Sequence, residues 1–372
     1  MTQPCILQHH TPLATAGGWH GAAELAHCRE INPMKSKILI VGGAGYIGSH
    51  MVLRLAQAGY DVVVFDNLSH GHRDAVLAGE LVVGDLADRA MLARLFAAHR
   101  FDAVMHFASS IQVGESVQQP ARYYANNVGN TIHLVEAMIE HGVQRLIFSS
   151  TAAIFGDPIR IPIDETHPRQ PVNPYGWSKS MVEQILADCD CAHGLRSVAL
   201  RYFNAAGAHP DGLLGERHDP ETHLIPLVLQ AASGRRTHIG VFGTDYDTPD
   251  GTCIRDYIHV QDLVEAHLLA LDWLLQGKAS TAFNLGNGHG FSIREVIHAV
   301  ETVTGQRVAV QDLPRRPGDP AILVADSTRA RAALGWQPQY TDLHDIVRHA
   351  WMWERKRFKP TLQPLDGAET QN

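Results

Sequence analysis

The sequence predicts an α/β fold, a doubly wound parallel sheet with a smaller C-terminal α/β lobe. Two observations carry this. Short apolar runs recur at Ile38–Val41, Val62–Phe65, Leu81–Val83, Ala103–Phe107, Leu146–Phe148 and Val198–Leu200. Between them lie stretches of helical periodicity, at Ile47–Ala58, Arg89–Ala98, Thr131–His141 and Tyr175–Asp188. Strands alternating with helices pair in parallel, because a parallel return needs a crossover long enough to hold a helix. From about Asn204 the rhythm turns irregular, with Gly, Pro and His in segments 207–223 and 243–252. The domain reading is therefore 34–203 for the sheet domain and 204–359 mainly for a substrate-binding lobe, some of whose segments return to the first domain. A polar tail occupies 360–372. Residues 1–33 show no sustained period of 2 or 3.6 and read as a disordered extension, or as the product of a start codon placed too early.

Bulk properties exclude some classes. A net charge of -8 opposes nucleic acid as the main partner, since tracking phosphates needs a basic excess. The cysteines (Cys5, Cys28, Cys189, Cys191, Cys253) are odd in number and contain no Cys-x-x-Cys. A disulfide framework and a structural zinc site are not expected, and a reducing, cytoplasmic setting fits. No apolar run reaches the roughly 20 residues that span a bilayer, so no membrane partner is expected.

The first element with chemistry follows the first strand. Gly42-x-x-Gly45-x-x-Gly48 joins that strand to a helix. Gly42 allows a tight turn, Gly45 lets the backbone approach a diphosphate, and Gly48 lets helix and strand pack closely. Tyr46 and Ile47 lie within the same turn, where the helix N-terminus favours an anion. Asp66 ends the second strand, 18 residues after Gly48, and is placed to accept both ribose hydroxyls of a dinucleotide. Its charge would repel a 2′-phosphate, and no Arg follows directly, so NAD is favoured over NADP. Asn67 comes next. Asp85, after the third strand and before Leu86, is placed to meet the adenine.

A second element carries the reaction. In Asn173-Pro-Tyr-Gly-Trp-Ser-Lys179, Asn173 suits an N-cap and Pro174 the first helical position. Tyr175 and Lys179 are then i and i+4 on one helix face. Lowering a phenol from about 10 to about 7 requires about 4 kcal/mol, roughly what one ammonium at about 4 Å supplies at an effective dielectric of about 20. Tyr175 is thus the candidate base and Lys179 its tuner. Upstream, Ser149-Ser-Thr151 ends an apolar strand on the crevice side of the sheet. Thr151 is the expected hydroxyl partner of the substrate oxygen, with Ser149 or Ser150 capping the turn. His209, His218 and His223 are irregularly spaced, and no metal site is expected from them.

With the glycine turn and Tyr175-x-x-x-Lys179 on one chain, the sequence resembles the extended short-chain dehydrogenase/reductase family. Further blocks resemble its UDP-hexose 4-epimerase branch: His106-Phe-Ala108 with Val113-Gly-Glu-Ser116, Tyr123-Tyr-Ala-Asn-Asn-Val128, and Arg201-Tyr-Phe-Asn-Ala-Ala-Gly-Ala208. Pro220-Glu-Thr-His-Leu-Ile-Pro226, Ile254-Arg-Asp-Tyr-Ile-His-Val260 and Pro314-Arg-Arg-Pro-Gly-Asp319 complete the set. The resemblance implies that Phe107, Ala108, Asn126 and Tyr202 line the cofactor, whose ribose Tyr175 and Lys179 also bond. It implies that Asn204, His223 and Leu224 meet the substrate nucleotide, Val241 and Phe242 flank its uracil, and Asp319 holds its ribose. Arg255 and Arg316 would clamp the diphosphate, a task suited to a planar fork of donors. The activity implied is an isomerase reaction, NAD-dependent interconversion of UDP-glucose and UDP-galactose by a homodimer.

Three departures stand out. Ile111 replaces a Lys common among relatives and removes one cofactor-phosphate contact. Ile154-Phe-Gly156 replaces Val-Tyr-Gly. Leu323 replaces a bulky Tyr and bears on sugar choice. A 4,6-dehydratase would carry an acidic pair after the catalytic Thr, where this chain has Ala152-Ala153. UDP-N-acetylglucosamine or UDP-glucuronate 4-epimerase activity is the nearer alternative. A non-catalytic nucleotide-sensing role is opposed by the intact Tyr175 and Lys179.

Overall fold

A computed structural model describes residues 36–316 and 319–358; the expectations about 1–33 and 360–372 lie outside them. Six strands come first: β1 (Lys37–Val41), β2 (Asp61–Asp66), β3 (Glu80–Val83), β4 (Ala103–His106), β5 (Arg145–Thr151) and β6 (Arg196–Tyr202). Then follow β7 (Asn204–Ala206), β8 (Ile239–Phe242), β9 (Ile254–His259), β10 (Thr281–Leu285), β11 (Gly290–Ser292), β12 (Val310–Leu313) and β13 (Ile322–Leu323). The large sheet is all parallel, in the order β3-β2-β1-β4-β5-β6-β10.

Its strands are apolar throughout because both faces are covered. In β1, Ile38 and Ile40 face one core, with Met51, Leu55, Leu263 and Leu271. Leu39 and Val41 alternate to the other, with Leu92, Leu134, Met138 and Val182. The first core is capped by helices Tyr46–Gln57 and Val260–Leu275, the second by Arg89–Ala98, Asn130–Glu140 and Pro174–His193. The six predicted runs all became strands.

The seventh strand was not legible. Its sequence, Thr281-Ala-Phe-Asn-Leu285, has a polar residue in the middle. Asn284 is fully buried there because its amide donates to Ile163 O at 2.9 Å and its backbone N–H donates to Glu165 at 2.8 Å. Tertiary hydrogen bonds, absent from any local pattern, make that position tolerable.

The other elements form a lobe at the carboxyl edge of the sheet. There β9 pairs with β7, β11 and β13, while β8 and β12 form a separate parallel pair. Helices Leu224–Ala232, Ile293–Thr304 and Leu343–Arg357 share a third core around Val228, Val300 and Ile346.

Candidate active site

The crevice opens where strand order reverses, between β1 and β4. Residues 107 and 108 cross directly over the glycine turn, their N–H groups donating to Val41 O at 2.8 and 3.2 Å. Gly42 sits at φ +79° beneath them, and a Cβ there would lie 2.5 Å from Ala108 N. A Cβ on Gly48 would lie 2.2 Å from Gly42 O. No side chain fits at either position. Gly45 precedes the helix that starts at Tyr46 and contributes no capping side chain, leaving the first turn to an anion.

The carboxylate of Asp66 first braces this turn. It accepts from the N–H of Ala44 at 2.9 Å and of Leu68 at 2.8 Å. Asn67 donates to Asp85 at 2.7 Å, and Asp85 also accepts from Ala87 N–H. Leu86 O receives the ring of His133. Tyr46, whose hydroxyl donates to Gly207 O at 2.7 Å, ties the turn to the lobe.

On the other side of the crevice stands the helix Pro174–His193. Asn173 caps it, accepting from Gly176 N–H at 2.9 Å, with Pro174 at the first position. The three hydroxyls at the end of β5 separate in role. Ser149 meets the Tyr202 hydroxyl, Ser150 donates to Glu183 at 2.6 Å, and Thr151 lies beside the Tyr175 phenol. Thr151 accepts from Ala153 N–H at 3.2 Å, so its hydroxyl caps the turn that follows β5.

Lys179 is buried. Its Nζ donates to Ser109 Oγ at 2.9 Å and to Ser149 O at 2.8 Å. Burial lowers its pKa to about 7, against the opposing pull of Glu183. Burial likewise raises the Tyr175 phenol, with Thr151 pulling the other way. Desolvation disfavours both charged forms.

Several supports escaped sequence reasoning. Ser109 holds Lys179. Buried Asn127 bonds Ser110 and Ser178, joining the loop after β4 to the helix Pro174–His193. Asn126 lies beside it in a π-helical turn, Tyr124–Gly129, donating to Ser110 at 3.1 Å. Glu183, four residues beyond Lys179, takes a bidentate grip from Arg201 at 2.9 and 2.6 Å. Its i+4 spacing from Lys179 was the available signal.

In the lobe, Asn204 donates to Asp256 O at 2.9 Å. Arg255 pairs with Asp319 and not with Asp256, which is buried and accepts from the N–H groups of Asn287, Gly288 and Ala325. Leu323 stands opposite Arg255 in the β13–β9 register and packs on the cluster of Ala152, Ile154 and Phe155, next to Thr151. Phe242 carries the Arg316 guanidinium at 3.8 Å from its ring centre. Val241, by the alternation of β8, turns its side chain into the core. Leu224 opens the helix Leu224–Ala232. His223 precedes it, its ring directed at Glu216 and not at the crevice.

The model of the NAD-dependent epimerase/dehydratase family matches residues 38–286, more than half of the sequence. The chain belongs to the NAD-dependent epimerase/dehydratase family. This family member is 51% identical over 319 residues to a UDP-glucose 4-epimerase of Halalkalibacterium halodurans, covering 86% of this chain and 96% of that one. It superposes on the crystal structure of UDP-glucose 4-epimerase from Brucella ovis in complex with NAD with a TM-score of 0.84. Identity there is 51%, covering 85% of this chain and 98% of that one. A UDP-Glc/GlcNAc 4-epimerase from Campylobacter jejuni is 46% identical with a TM-score of 0.76, covering 86% and 99%.

The Lys179 shift has a measurable sign. Its pKa is about 7 folded against an ordinary 10.5. The unfolded chain therefore binds the proton more tightly across that window, and wild-type stability rises as pH climbs through it. Lys179→Met lacks that contribution. Denaturant unfolding at about pH 7 and about pH 9.5 should show wild type gaining on the variant at the higher pH. A gap that does not widen would mean that Lys179 is not desolvated.

Proposed function

We propose that the chain interconverts UDP-glucose and UDP-galactose by transient oxidation at C4 of the hexose, rotation of the 4-keto sugar, and return of the hydride. The observation carrying this is the Tyr175 phenol beside Thr151, with buried Lys179 one turn further along the same helix, facing a glycine turn that excludes side chains. Ala152 and Ala153 follow Thr151, so the acid and base for eliminating water across C5–C6 are missing.

The residues fit NAD: Gly42 and Gly48 exclude side chains where a diphosphate would approach, and Asp66 ends β2 without a following Arg. When bound, that cofactor supplies a reversible hydride acceptor and a positive charge that favours the phenolate. Tyr175 takes the proton from the 4-hydroxyl and later gives it back. Thr151 shares the oxygen, and Lys179 holds the ribose side of the crevice. Arg255, Arg316, Asp319 and Phe242 form the nucleotide grip, which retains the intermediate while its sugar turns.

A homodimer also belongs to this reading. Val113 and Val117 on helix Val113–Gln118, with Trp177 and Met181 on the catalytic helix, are exposed apolar side chains on two helices in mutual contact. Such a stripe is what a four-helix interface would bury. A cytoplasmic site is supported by free Cys189, Cys191 and Cys253.

Tyr175→Phe should cut turnover by about 10²–10⁴ with UDP affinity little changed, while Thr151→Ala should be milder. Near-normal turnover of Tyr175→Phe would remove the base. Steady NADH accumulation matched to substrate loss by wild type would make the chain a dehydrogenase instead.

Leu323 leaves room beside the hexose for an N-acetyl group. Wild type should therefore turn over UDP-N-acetylglucosamine and Leu323→Tyr should not, with UDP-glucuronate run as a third substrate in the same chromatographic screen. Equal activity of both proteins would show that another side chain is the gate. In sedimentation, Met181→Glu should shift a dimeric mass towards the monomer; an unchanged mass would place the interface elsewhere.

A further inference from the structure

The segment between β7 and the helix Leu224–Ala232 gathers four side chains that the epimerase reading leaves unused or only partly used. They are Glu216, His218, Glu221 and His223, and one donor atom from each lies within 4.8 Å of all the others. Irregular spacing hid this in the sequence. The loop folds back on itself, so residues two, three and five apart converge without helical or strand periodicity.

The arrangement is more than an ion-pair cluster. The carboxylate side chains of Glu216 and Glu221 are each only 5% exposed, and buried carboxylates need cationic compensation. His218 Nδ1 lies 3.2 Å from Glu216 Oε1 and 3.6 Å from Glu221 Oε1. Yet that buried nitrogen makes no hydrogen bond. It is aimed between the two oxygens and not along either. His223 Nδ1 faces the same pair, 3.9 Å from Glu221 Oε1 and in contact with Glu216 Oε1.

Ligands on a tetrahedral zinc, with bonds of about 2.0–2.1 Å, stand about 3.4 Å from one another. Three of the six edges, at 3.2, 3.6 and 3.9 Å, bracket that value, the Glu216–His223 contact must widen, and the remaining two lie within 4.8 Å. Glu221 Oε1 is already oriented by the N–H groups of Thr222 and His223, at 2.7 and 2.9 Å, as an outer shell would orient a ligand.

We propose that Glu216, His218, Glu221 and His223 bind one divalent transition cation, zinc foremost. Two imidazoles with two carboxylates suit zinc better than the oxygen-seeking calcium or magnesium. The role is structural. The His218 ring stands edge-on to Tyr46, at 6.4 Å between centres, and Tyr46 opens the helix of the glycine turn. The cation would fasten the lobe's longest loop beside the cofactor crevice. It takes no part in the proton or hydride steps.

The test uses the full chain without an affinity tag, stripped of metal, loaded with zinc(II), and desalted against a weak chelator. Bound metal is then counted by mass spectrometry for wild type, Glu216→Gln, His218→Gln and the double variant. Wild type should retain one equivalent, and each single variant should bind at least about tenfold more weakly. Zinc should also raise the melting temperature of wild type and not that of the double variant. Equal retention by wild type and the double variant would put the metal elsewhere, on the histidines of residues 1–33 for instance, and overturn the proposal. So would no retention by wild type. If circular dichroism shows that the variants do not fold, cobalt(II) on wild type decides. Intense visible bands of a four-coordinate site support the proposal, and the weak bands of a hydrated six-coordinate ion overturn it.

Discussion

Everything functional in this chain depends on the reversal of strand order between β1 and β4. Connections leave these neighbours on opposite faces, so their carboxyl ends part and leave a crevice that no helix fills. The backbone of residues 107 and 108 closes over Gly42 there, bonded to the same carbonyl of Val41. That contact leaves no space for a Cβ. Gly42, Asp66, Phe107, Thr151 and Tyr202 stand at or just beyond the ends of β1, β2, β4, β5 and β6.

The second organising fact is electrostatic. Lys179, Glu183 and Arg201 form a buried chain of alternating charge behind the phenol. Burial alone drives both Tyr175 and Lys179 towards neutrality. Both groups are thus held towards neutrality, and on the proposed mechanism an added positive charge in the crevice is what tips the phenol. Chemistry waits for the crevice to be filled. An enzyme whose base ionised spontaneously would carry a reactive phenolate with nothing to act on.

How much of this was readable in advance divides along a physical line. The six central strands, the glycine turn and the helix with Tyr175 and Lys179 declare themselves, since their signals are local: apolar runs, fixed spacing, a capped helix start. The seventh strand hid because buried Asn284 breaks its apolar run and is excused only by partners more than a hundred residues away. The pairing of Arg255 with Asp319, the grip of Ser109 on Lys179 and the gathering of Glu216 with His218 are all products of loop closure. Periodicity carries no information about them.

The short edge strand β13 has a further consequence. Leu323 lies four residues beyond Asp319 and seven beyond Arg316, and β13 is only two residues long. On the proposed roles of these residues, the wall against the hexose and the hold on the nucleotide are therefore cut from one piece of backbone. A change that widens the sugar chamber by shifting β13 would slide Asp319 against Arg255 as well. Breadth of diet and strength of grip are mechanically geared in this protein. Lineages that take bulkier sugars would find the easier route in exchanging the Leu323 side chain in place than in remodelling the loop that bears it.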